Sequence, residues 1–308
     1  QDRLQSPDAE IRRLAVIDLP YSDEDDIESL LVPCLSDSDA NVRLEAVRAL
    51  EGFETPETVA ALSVMLLDPS PVVMEAAGLV LAELKEPESA APLIPLLTHP
   101  NAKVRTLALR AVRALRVPEA FGPAMSQLQD SDPEVRREAV GVLGYLKRPE
   151  ALGELAEVAA NDPDAEVRRV AVGALGYAQE VSVLPSLTRA LNDSIWMVRE
   201  EAAGTIGKLG LNLATQDLIR AMNDDYWQVR VKSARALGKL KAVAALPCLV
   251  ESMSDNVSNL RKEAAIALGE IGDKRAIPAL EVALNDPDPD VRKLSRLALT
   301  NITLQNAQ

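Results

Sequence analysis

The sequence is organised by a short phrase, Val-Arg-x-x-Ala-x-x-x-Leu, that recurs at a nearly constant interval. The first residue of the phrase, here called the anchor, occupies ten positions: Ile11, Val42, Val73, Val104, Val135, Val167, Val198, Val229, Leu260 and Val291. Successive anchors are 31 residues apart eight times and 32 residues apart once. A fixed period across nearly the whole chain predicts one elongated solenoid, in which each repeat contacts mainly its neighbours.

Each full repeat has the pattern of two helices joined by a turn. In the tenth repeat, residues 276–284 are predicted to form an amphipathic first helix. Asp288 is the predicted N-cap of the second helix, and Pro289 takes its first position, where a backbone N–H is not needed. Three residues spaced by four are predicted to face inward: Val291, Ser295 and Leu299. Two glycines just past second helices are predicted C-caps: Gly210 and Gly272.

These features predict an all-α fold, an α-solenoid wound as a right-handed superhelix of about ten helix-pair repeats. Residues 1–308 are expected to form a single elongated array. Within it, residues 1–20 are an incomplete first repeat, residues 21–300 are nine full repeats, and residues 301–308 are a C-terminal tail. Because the first unit is incomplete, we expect either a fragment of a longer array or a homo- or heterodimer that covers the ends.

The charge balance limits the class of partner. The chain carries 33 Lys and Arg residues against 47 Asp and Glu residues, a formal net charge of -14. Nucleic-acid binders need a basic track, so we expect no nucleic acid and instead a protein partner of basic or mixed charge. No apolar run is long enough for membrane insertion. Cys34 and Cys248 are expected to be free thiols, which fits a cytoplasmic protein.

The tenth repeat carries the clearest likeness to a known family. Its segment from Ala276-Ile277-Pro278-Ala279-Leu280 to Asp290-Val291-Arg292 resembles the HEAT-like repeat of the phycobilisome (PBS) lyase class. The stretches Ala202-Ala203-Gly204-Thr205-Ile206-Gly207 and Ala264-Ala265-Ile266-Ala267-Leu268-Gly269 are similar to the usual end of its second helix. The resemblance implies a HEAT-like solenoid over essentially the whole chain. Its members include bilin lyases, chromophore-handling relatives and scaffolds without chemistry.

Charged residues follow the same period. Arginine stands directly after the anchor in nine of the ten repeats, and aspartate stands five residues before it in eight. The exceptions are Met74 in place of arginine, and Ser6 and His99 in place of aspartate. Such a ladder could bind ions or a substrate. We instead expect the pairs to cap turns and to join successive repeats, because exposed ion pairs contribute little singly but a repeated network fixes the stacking register.

An aromatic cluster marks repeats seven to nine. The N-cap position, three residues before the anchor, holds Ile195, Tyr226 and Val257 instead of a polar residue. The next position holds Trp196 and Trp227, the only tryptophans in the chain. We expect the two indoles to lie side by side on the rim formed by the turns, as a contact surface for a partner. The alternative is that they fold inward over the edge of the core.

Glycines mark the exposed face of the second helices. Counting from the anchor as zero, positions two, six and nine lie opposite the core. Glycine occupies position six in three consecutive repeats, as Gly141, Gly173 and Gly204, and position nine in the same repeats, as Gly144, Gly176 and Gly207. A mid-helix glycine costs roughly 1 kcal/mol relative to alanine. One explanation is a shallow concave groove, edged by Tyr145, Tyr177, Arg137 and Arg169. The alternative is close helix packing, favoured at position nine because Gly238 and Gly269 recur there.

Residues for catalysis are scarce. His99 is the only histidine, which excludes a cluster of histidine metal ligands and argues against a Ser-His-Asp or Cys-His site. No glycine-rich phosphate loop is present. No metal, nucleotide or other cofactor is therefore expected.

Two functional hypotheses remain. The first is a non-catalytic scaffold or adaptor that grips a protein partner with the glycine-lined concave face and the aromatic cluster. The second, implied by the resemblance, is a bilin lyase-like or chromophore-handling protein. Its groove would hold a tetrapyrrole, and Arg137 or Arg169 would meet the carboxylates. A designed consensus array is disfavoured, because the repeats differ at core and concave positions.

Overall fold

The computed structural model describes residues 2–22, 24, 26–179 and 181–305 of the chain. These residues form 18 α-helices and 13 short 3-10 helices, and no strand occurs among them. The all-α repeat fold predicted from the period is confirmed. The chain divides into two compact units, residues 1–147 and residues 148–308.

The described residues of the first unit contain eight α-helices: α1 (Ala9–Asp18), α2 (Ile27–Leu31), α3 (Ala40–Ala49), α4 (Pro56–Met65), α5 (Pro71–Leu81), α6 (Ala102–Arg113), α7 (Phe121–Gln127) and α8 (Pro133–Leu146). The second helices of its repeats, α1, α3, α5, α6 and α8, each pack against the next. In the fourth repeat, two 3-10 helices, Pro87–Ala90 and Ile94–Thr98, replace the first α-helix. Pro92 and Pro95 account for the change, because each lacks the backbone N–H that an α-helix uses.

The described residues of the second unit contain ten α-helices: α9 (Leu152–Asn161), α10 (Ala165–Ala174), α11 (Leu184–Ala190), α12 (Trp196–Leu209), α13 (Thr215–Ala221), α14 (Trp227–Lys239), α15 (Leu246–Ser252), α16 (Ser258–Ile271), α17 (Ile277–Val282) and α18 (Pro289–Gln305). The second helices α10, α12, α14, α16 and α18 pack in succession, and each contacts the first helix of its own repeat. α18 includes residues 301–305, which were expected in a tail, because Ile302 is fully buried. Residues 306–308 lie outside the described residues.

Burial and capping explain where the helices form. Nine of the ten anchor side chains, from Val42 to Val291, are at most 1% exposed, whereas Ile11 in the incomplete first repeat is 40% exposed. Burying a side chain of this size contributes about 1.5–3 kcal/mol. The predicted N-cap Asp288 accepts a hydrogen bond from the N–H of Asp290. The predicted C-caps end α12 and α16 in the left-handed conformation, with φ of 69° at Gly210 and 76° at Gly272.

The repeated arginines and aspartates join consecutive repeats. Seven arginines that follow an anchor bind the aspartate 25 residues further along, which belongs to the next repeat. The nitrogen–oxygen distances are Arg12–Asp37 2.6 Å, Arg43–Asp68 2.7 Å, Arg105–Asp130 2.6 Å, Arg168–Asp193 2.7 Å, Arg199–Asp224 2.6 Å, Arg230–Asp255 3.5 Å and Arg261–Asp286 2.7 Å.

Each pair also holds the turns on both sides of it. Arg43, for example, donates to the carbonyl of Asp37 in its own turn, while Asp68 accepts the N–H of Ser70. The expectation that these pairs cap turns and join successive repeats is confirmed. We call the set the Arg–Asp ladder.

Two of the exceptions to the charge pattern fall on the same rung of the Arg–Asp ladder. By the 25-residue spacing, the position that would pair with Met74 of the third repeat is His99 of the fourth. The cation and the carboxylate are therefore missing together. Removing only one of them would leave a partly buried charge without its partner. The loss of stability is about 3–5 kcal/mol when such a pair is fully buried, and it is smaller for a partly buried pair.

Acid should destabilise the protein through the ladder carboxylates. The guanidinium of Arg12 lowers the pKa of Asp37. At Asp68, burial acts to raise the pKa, but hydrogen bonds from Arg43 and Ser70 outweigh it, so that pKa is also lowered. A carboxyl with a depressed folded pKa stabilises the fold above its unfolded pKa of about 3.9, and this stability is lost as pH falls through the folded value. We expect the free energy of unfolding, measured in urea by circular dichroism, to fall steeply below about pH 4.

The same titration on Asp68→Asn supplies the control for the acid prediction. This variant lacks one of the titrating ladder groups, so its free energy of unfolding should start lower at neutral pH and fall less on acidification. Parallel pH profiles for the two proteins would contradict a role for this carboxylate in acid sensitivity.

Candidate interaction surfaces

The second helices of repeats seven to nine begin without a side-chain cap. Ile195, Tyr226 and Val257 occupy the N-cap positions of α12, α14 and α16, and none of their side chains accepts a hydrogen bond from the first turn. A polar cap stabilises a helix by about 1 kcal/mol. These three helix starts therefore carry apolar or aromatic side chains at the expense of helix stability.

The ring that stacks on Trp196 is Tyr226, with centroids 5.4 Å apart and planes inclined by 12°. The guanidinium of Arg199 lies 5.7 Å from the centre of the same Tyr226 ring while it also binds Asp224. Trp196 therefore stacks on a phenol of the next repeat, and the side-by-side placement of the two indoles stays a prediction. Tyr226, the N-cap residue of α14, therefore contacts the preceding repeat, and Trp227 is the first residue of the helix itself.

Exposure separates the members of this surface, which we call the aromatic rim and define as Ile195, Trp196, Tyr226 and Trp227. Tyr226 is 45% exposed and Trp227 is 39% exposed, whereas Ile195 and Trp196 are half-buried. Met197, next to Trp196, is 41% exposed. The outer part of the rim is thus open to a partner, and its inner part is held by the stack.

The residues predicted to line the glycine groove fall in both units. Arg137, Gly141 and Tyr145 lie on α8 of the first unit. A Cβ at Gly141 would lie 3.0 Å from Cδ of Arg113, so the space above this glycine is occupied by an arginine. Tyr145 is 44% exposed and has the guanidinium groups of Arg113 and Arg116 within 6 Å of its ring.

Arg137 is engaged in a network centred on a glutamate that the sequence analysis did not single out. Glu138 is 3% exposed and accepts hydrogen bonds at 3.2 Å from Arg110, Arg113 and Arg137. Arg137 also binds Glu134, one turn before it, at 2.7 Å. Three arginines therefore neutralise one buried carboxylate, and Arg137 has two acidic partners of its own.

In the second unit, the predicted groove residues are Arg169, Gly173, Tyr177 and Gly204. Arg169 binds Glu166 at 2.6 Å and lies 3.8 Å from Glu201. A Cβ at Gly173 would lie 3.0 Å from a carboxylate oxygen of Glu201, whereas a Cβ at Gly204 would meet nothing closer than 4.0 Å. Gly204 therefore lies beside open space, and Gly173 is covered by a side chain.

Tyr177 is tied into the structure. Its hydroxyl donates to the carbonyl of Arg148 at 2.8 Å. Burial, with a smaller contribution from Glu150, raises the pKa of Tyr177 to about 12. The phenol is therefore protonated at neutral pH and half-buried.

The position-nine glycines allow close helix packing. A Cβ at Gly207, Gly238 or Gly269 would lie 2.7–2.9 Å from the Cα of an alanine in the next second helix, namely Ala236, Ala267 or Ala298. Real side chains do not approach backbone atoms this closely. The alternative interpretation of these glycines, close lateral packing, is confirmed at the three positions.

Open clefts lie in both units. In the first unit, α3 and α5 enclose an open cleft of about 690 Å³, with Leu44, Val72 and Leu79 in its lining. Val72 and Leu79 are 59% and 63% exposed. In the second unit, a cleft of about 290 Å³ contains three of the glycines predicted to line the groove, Gly173, Gly204 and Gly207. Its other lining residues are Thr205, Ala236, the carboxylate Glu201 and four cations: Lys208, Lys232, Arg235 and Lys239. We call this second cavity the basic cleft.

The described residues hold no cluster of three or more His, Cys, Asp or Glu side chains arranged to bind a metal ion. Within the same residues, no helix is long and apolar enough to cross a membrane. Cys34 and Cys248 are free, as expected, and burial raises the pKa of both thiols.

Comparison with known proteins identifies the repeat. The sequence model of the family described as HEAT repeats matches residues 1–82, 31–108, 90–175, 153–230 and 215–300. No curated protein sequence matches the chain. An engineered protein of known structure is 21% identical, with a TM-score of 0.56, and the match covers 98% of this chain and 97% of that one.

Two longer solenoids are also similar in fold. Kap95p, solved with RanGDP, is 16% identical with a TM-score of 0.67, and the match covers 96% of this chain and 49% of Kap95p. Importin beta is 16% identical with a TM-score of 0.63, and the match covers 98% of this chain and 50% of importin beta. This chain therefore spans about half the length of these two proteins.

Proposed function

This chain belongs to the HEAT-repeat family, and from that premise we propose that it is a non-catalytic scaffold or adaptor that binds a protein partner. The observation that carries the proposal is the aromatic rim, where Tyr226 replaces a polar helix cap and Trp227 follows it, both exposed, beside the half-buried Ile195 and Trp196 of the preceding repeat. Kap95p, which is similar in fold, was solved with the protein RanGDP, and we infer that this chain likewise binds a protein partner. The net charge of -14 favours a partner of basic or mixed charge.

The chemistry of the aromatic rim suits a protein contact. Tyrosine and tryptophan are among the side chains whose truncation most often costs about 2 kcal/mol or more of binding free energy at protein interfaces. The stack between Trp196 and Tyr226 restrains the phenol before any partner arrives, which lowers the ordering cost of binding. Trp227 then supplies an exposed indole next to this fixed ring.

We expect Trp227→Ala to weaken capture of the partner by about tenfold or more, because truncating an exposed aromatic anchor removes most of its contact. The measurement is affinity capture from the source cell with quantitative mass spectrometry. Leu213→Ala is the matched control, since Leu213 is 74% exposed in the same unit and lies outside the rim. A protein kept by the Leu213 variant and lost by the Trp227 variant is the expected result.

The rim also contains its own reporter. Trp196 and Trp227 are the only tryptophans, so this chain's tryptophan fluorescence, excited beyond the absorption of tyrosine, comes from this surface alone. In the Trp196→Phe variant this tryptophan emission comes from Trp227, and binding of a purified partner segment that lacks tryptophan should shift it to shorter wavelength as the indole leaves water. Unshifted emission, together with equal capture by Trp227→Ala and the native protein, would rule out the aromatic rim as the contact.

The tetrapyrrole hypothesis takes second place. The arginines assigned to the carboxylates of such a ligand, Arg137 and Arg169, are each bound to glutamates. The hydroxyl of Tyr177 is likewise engaged with a backbone carbonyl. Titration of the purified protein with a bilin or haem at micromolar concentration decides between the hypotheses, because a shifted absorbance band would favour chromophore handling over the scaffold.

A further inference from the structure

The second helices carry a second set of ion pairs, apart from the Arg–Asp ladder, formed by residues at positions two, three and six after the anchor. Position three is glutamate in four repeats, and in each case the glutamate lies near an arginine of the preceding second helix. The pairs are Arg13–Glu45 at 3.9 Å, Arg110–Glu138 at 3.2 Å, Arg169–Glu201 at 3.8 Å and Arg235–Glu263 at 3.0 Å. A glutamate at this position therefore normally receives a cation from its neighbour.

This arrangement is reversed between α12 and α14. Position three of α14 is Lys232, the only cation at this position in the chain. The arginines of these pairs stand at position two or six of the preceding helix, and in α12 these positions are Glu200 and Gly204. Cδ of Lys232 lies 4.0 Å from the place where a Cβ on Gly204 would stand. Among the described residues, Lys232 has no carboxylate within 4.0 Å.

Neighbouring cations surround the same space. Lys208 and Lys239 line the basic cleft and also lack a carboxylate within 4.0 Å among the residues that the structure describes. Arg235 is bound to Glu263, and the carboxylate in the lining, Glu201, lies near Arg169. The helix dipole accounts for Lys208 and Lys239, which lie in the last turns of their helices.

The dipole does not account for Lys232, which lies in the first half of α14. In the chain as a whole acidic residues outnumber basic ones, 47 to 33. The basic cleft therefore holds three lysines that form no ion pair within 4.0 Å among the described residues, although Glu201 also lines it and Glu270 interacts with Lys239, and there is open space above Gly204.

We propose that the basic cleft binds acidic side chains of an extended segment of a protein partner, with Lys232 as the central contact. This inference rests on the proposed function in taking the partner to be a protein. A carboxylate entering the cleft would form with Lys232 the ion pair that Glu200 and Glu201 of α12 do not form within 4.0 Å, and charge-assisted hydrogen bonds of this kind are stronger than neutral ones. A nucleic acid fits less well, since it needs a continuous basic track and would be repelled by the remaining acidic surface.

The test uses a fluorescently labelled Glu–Ser repeat peptide and, as the neutral comparison, a Gln–Ser repeat peptide. Binding is measured by anisotropy with the full chain at low and at high salt. We expect the native protein to bind the Glu–Ser peptide with an affinity that falls as salt rises, and to bind the Gln–Ser peptide at least about tenfold more weakly. Equal binding of both peptides would overturn the proposal.

Lys232→Glu is the decisive variant, because it replaces the central cation of the cleft with a carboxylate, and far-ultraviolet circular dichroism establishes that it is folded before binding is compared. It should weaken binding of the Glu–Ser peptide by about tenfold or more. Lys274→Glu changes the net charge equally at an exposed lysine outside the cleft, and should leave the affinity within about twofold. Equal losses in the two variants would mean that the peptide senses only overall charge, and would overturn the site.

Two further arms separate other ligands. Inorganic phosphate should displace the peptide no better than chloride at the same ionic strength, and an oligonucleotide should bind less tightly than the Glu–Ser peptide. The opposite result in either arm would replace the acidic segment by a small anion or a nucleic acid. Trp227→Ala should leave peptide binding unchanged, so failure of the aromatic rim and failure of the basic cleft are distinguishable.

Discussion

Gly207→Leu should lower the free energy of unfolding by about 3 kcal/mol. A Cβ at this position would lie 2.8 Å from both the Cα and the Cβ of Ala236 on the neighbouring helix. A backbone atom cannot rotate away as a long side chain can, so α12 and α14 would have to separate. The contacts between these two helices, which bury Ile206 and Leu237 completely, would loosen with them.

Gly204→Leu, in the same helix, is the matched control. Its nearest neighbour is the flexible side chain of Lys232 at 4.0 Å, so the leucine enters open space. Leucine favours a helix over glycine, and the free energy of unfolding should rise by about 0.5–1 kcal/mol. Urea unfolding followed by far-ultraviolet circular dichroism measures both. If the two variants lost similar stability, close packing at position nine would not be the reason for Gly207.

Glu138→Ala should destabilise the protein by about 2–4 kcal/mol. The carboxylate is nearly inaccessible and binds Arg110, Arg113 and Arg137, so its loss leaves three cations close together with Glu134 as the remaining partner of Arg137. The estimate sits at the lower end of values for buried pairs, because the three arginines are 25–39% exposed and water can reach them.

Glu134→Ala separates the buried carboxylate from an ordinary surface one. Glu134 lies one turn earlier in α8, is 54% exposed and binds only Arg137 among the contacts described for it. Its removal should change the free energy of unfolding by less than about 0.5 kcal/mol. Thermal unfolding of the two variants side by side is sufficient, and equal melting temperatures would contradict the role of Glu138 as the centre of the network.

Much of the fold could be predicted because the same pattern of buried anchors, helix caps and turns recurs in each repeat. The anchors from Val42 onward are buried, and the glycines at 210 and 272 end their helices, since both features depend on short-range pattern. The helix through Ile302 was missed, because the repeat pattern ends before that residue. The 3-10 segments of the fourth repeat depended on Pro92 and Pro95, whose effect on the helix was not considered.

The surfaces were predictable only in part. Exposure of Tyr226 and Trp227 follows from their place at the helix start, but the stack of Tyr226 on Trp196 depends on side-chain contacts between repeats. The ion pairs of Arg137 and Arg169 had a signal that was overlooked, since a glutamate stands three residues before each arginine. Lys232 could have been found by comparing position three across the repeats, where glutamate is the usual charged residue.

The Arg–Asp ladder allows whole repeats to be deleted or duplicated while the ion pairs between the remaining repeats are kept. Each rung belongs half to one repeat and half to the next, so a recombination event that removes one full period rejoins an arginine to an aspartate. Excision of residues 70–100 would bring Asn101 directly after Pro69 and delete Met74 and His99 together. In the shortened array the rungs Arg43–Asp68 and Arg105–Asp130 would follow each other without a gap. Loss or duplication of half a repeat would leave charges facing the wrong residues, so such genes should vary in length by about whole repeats.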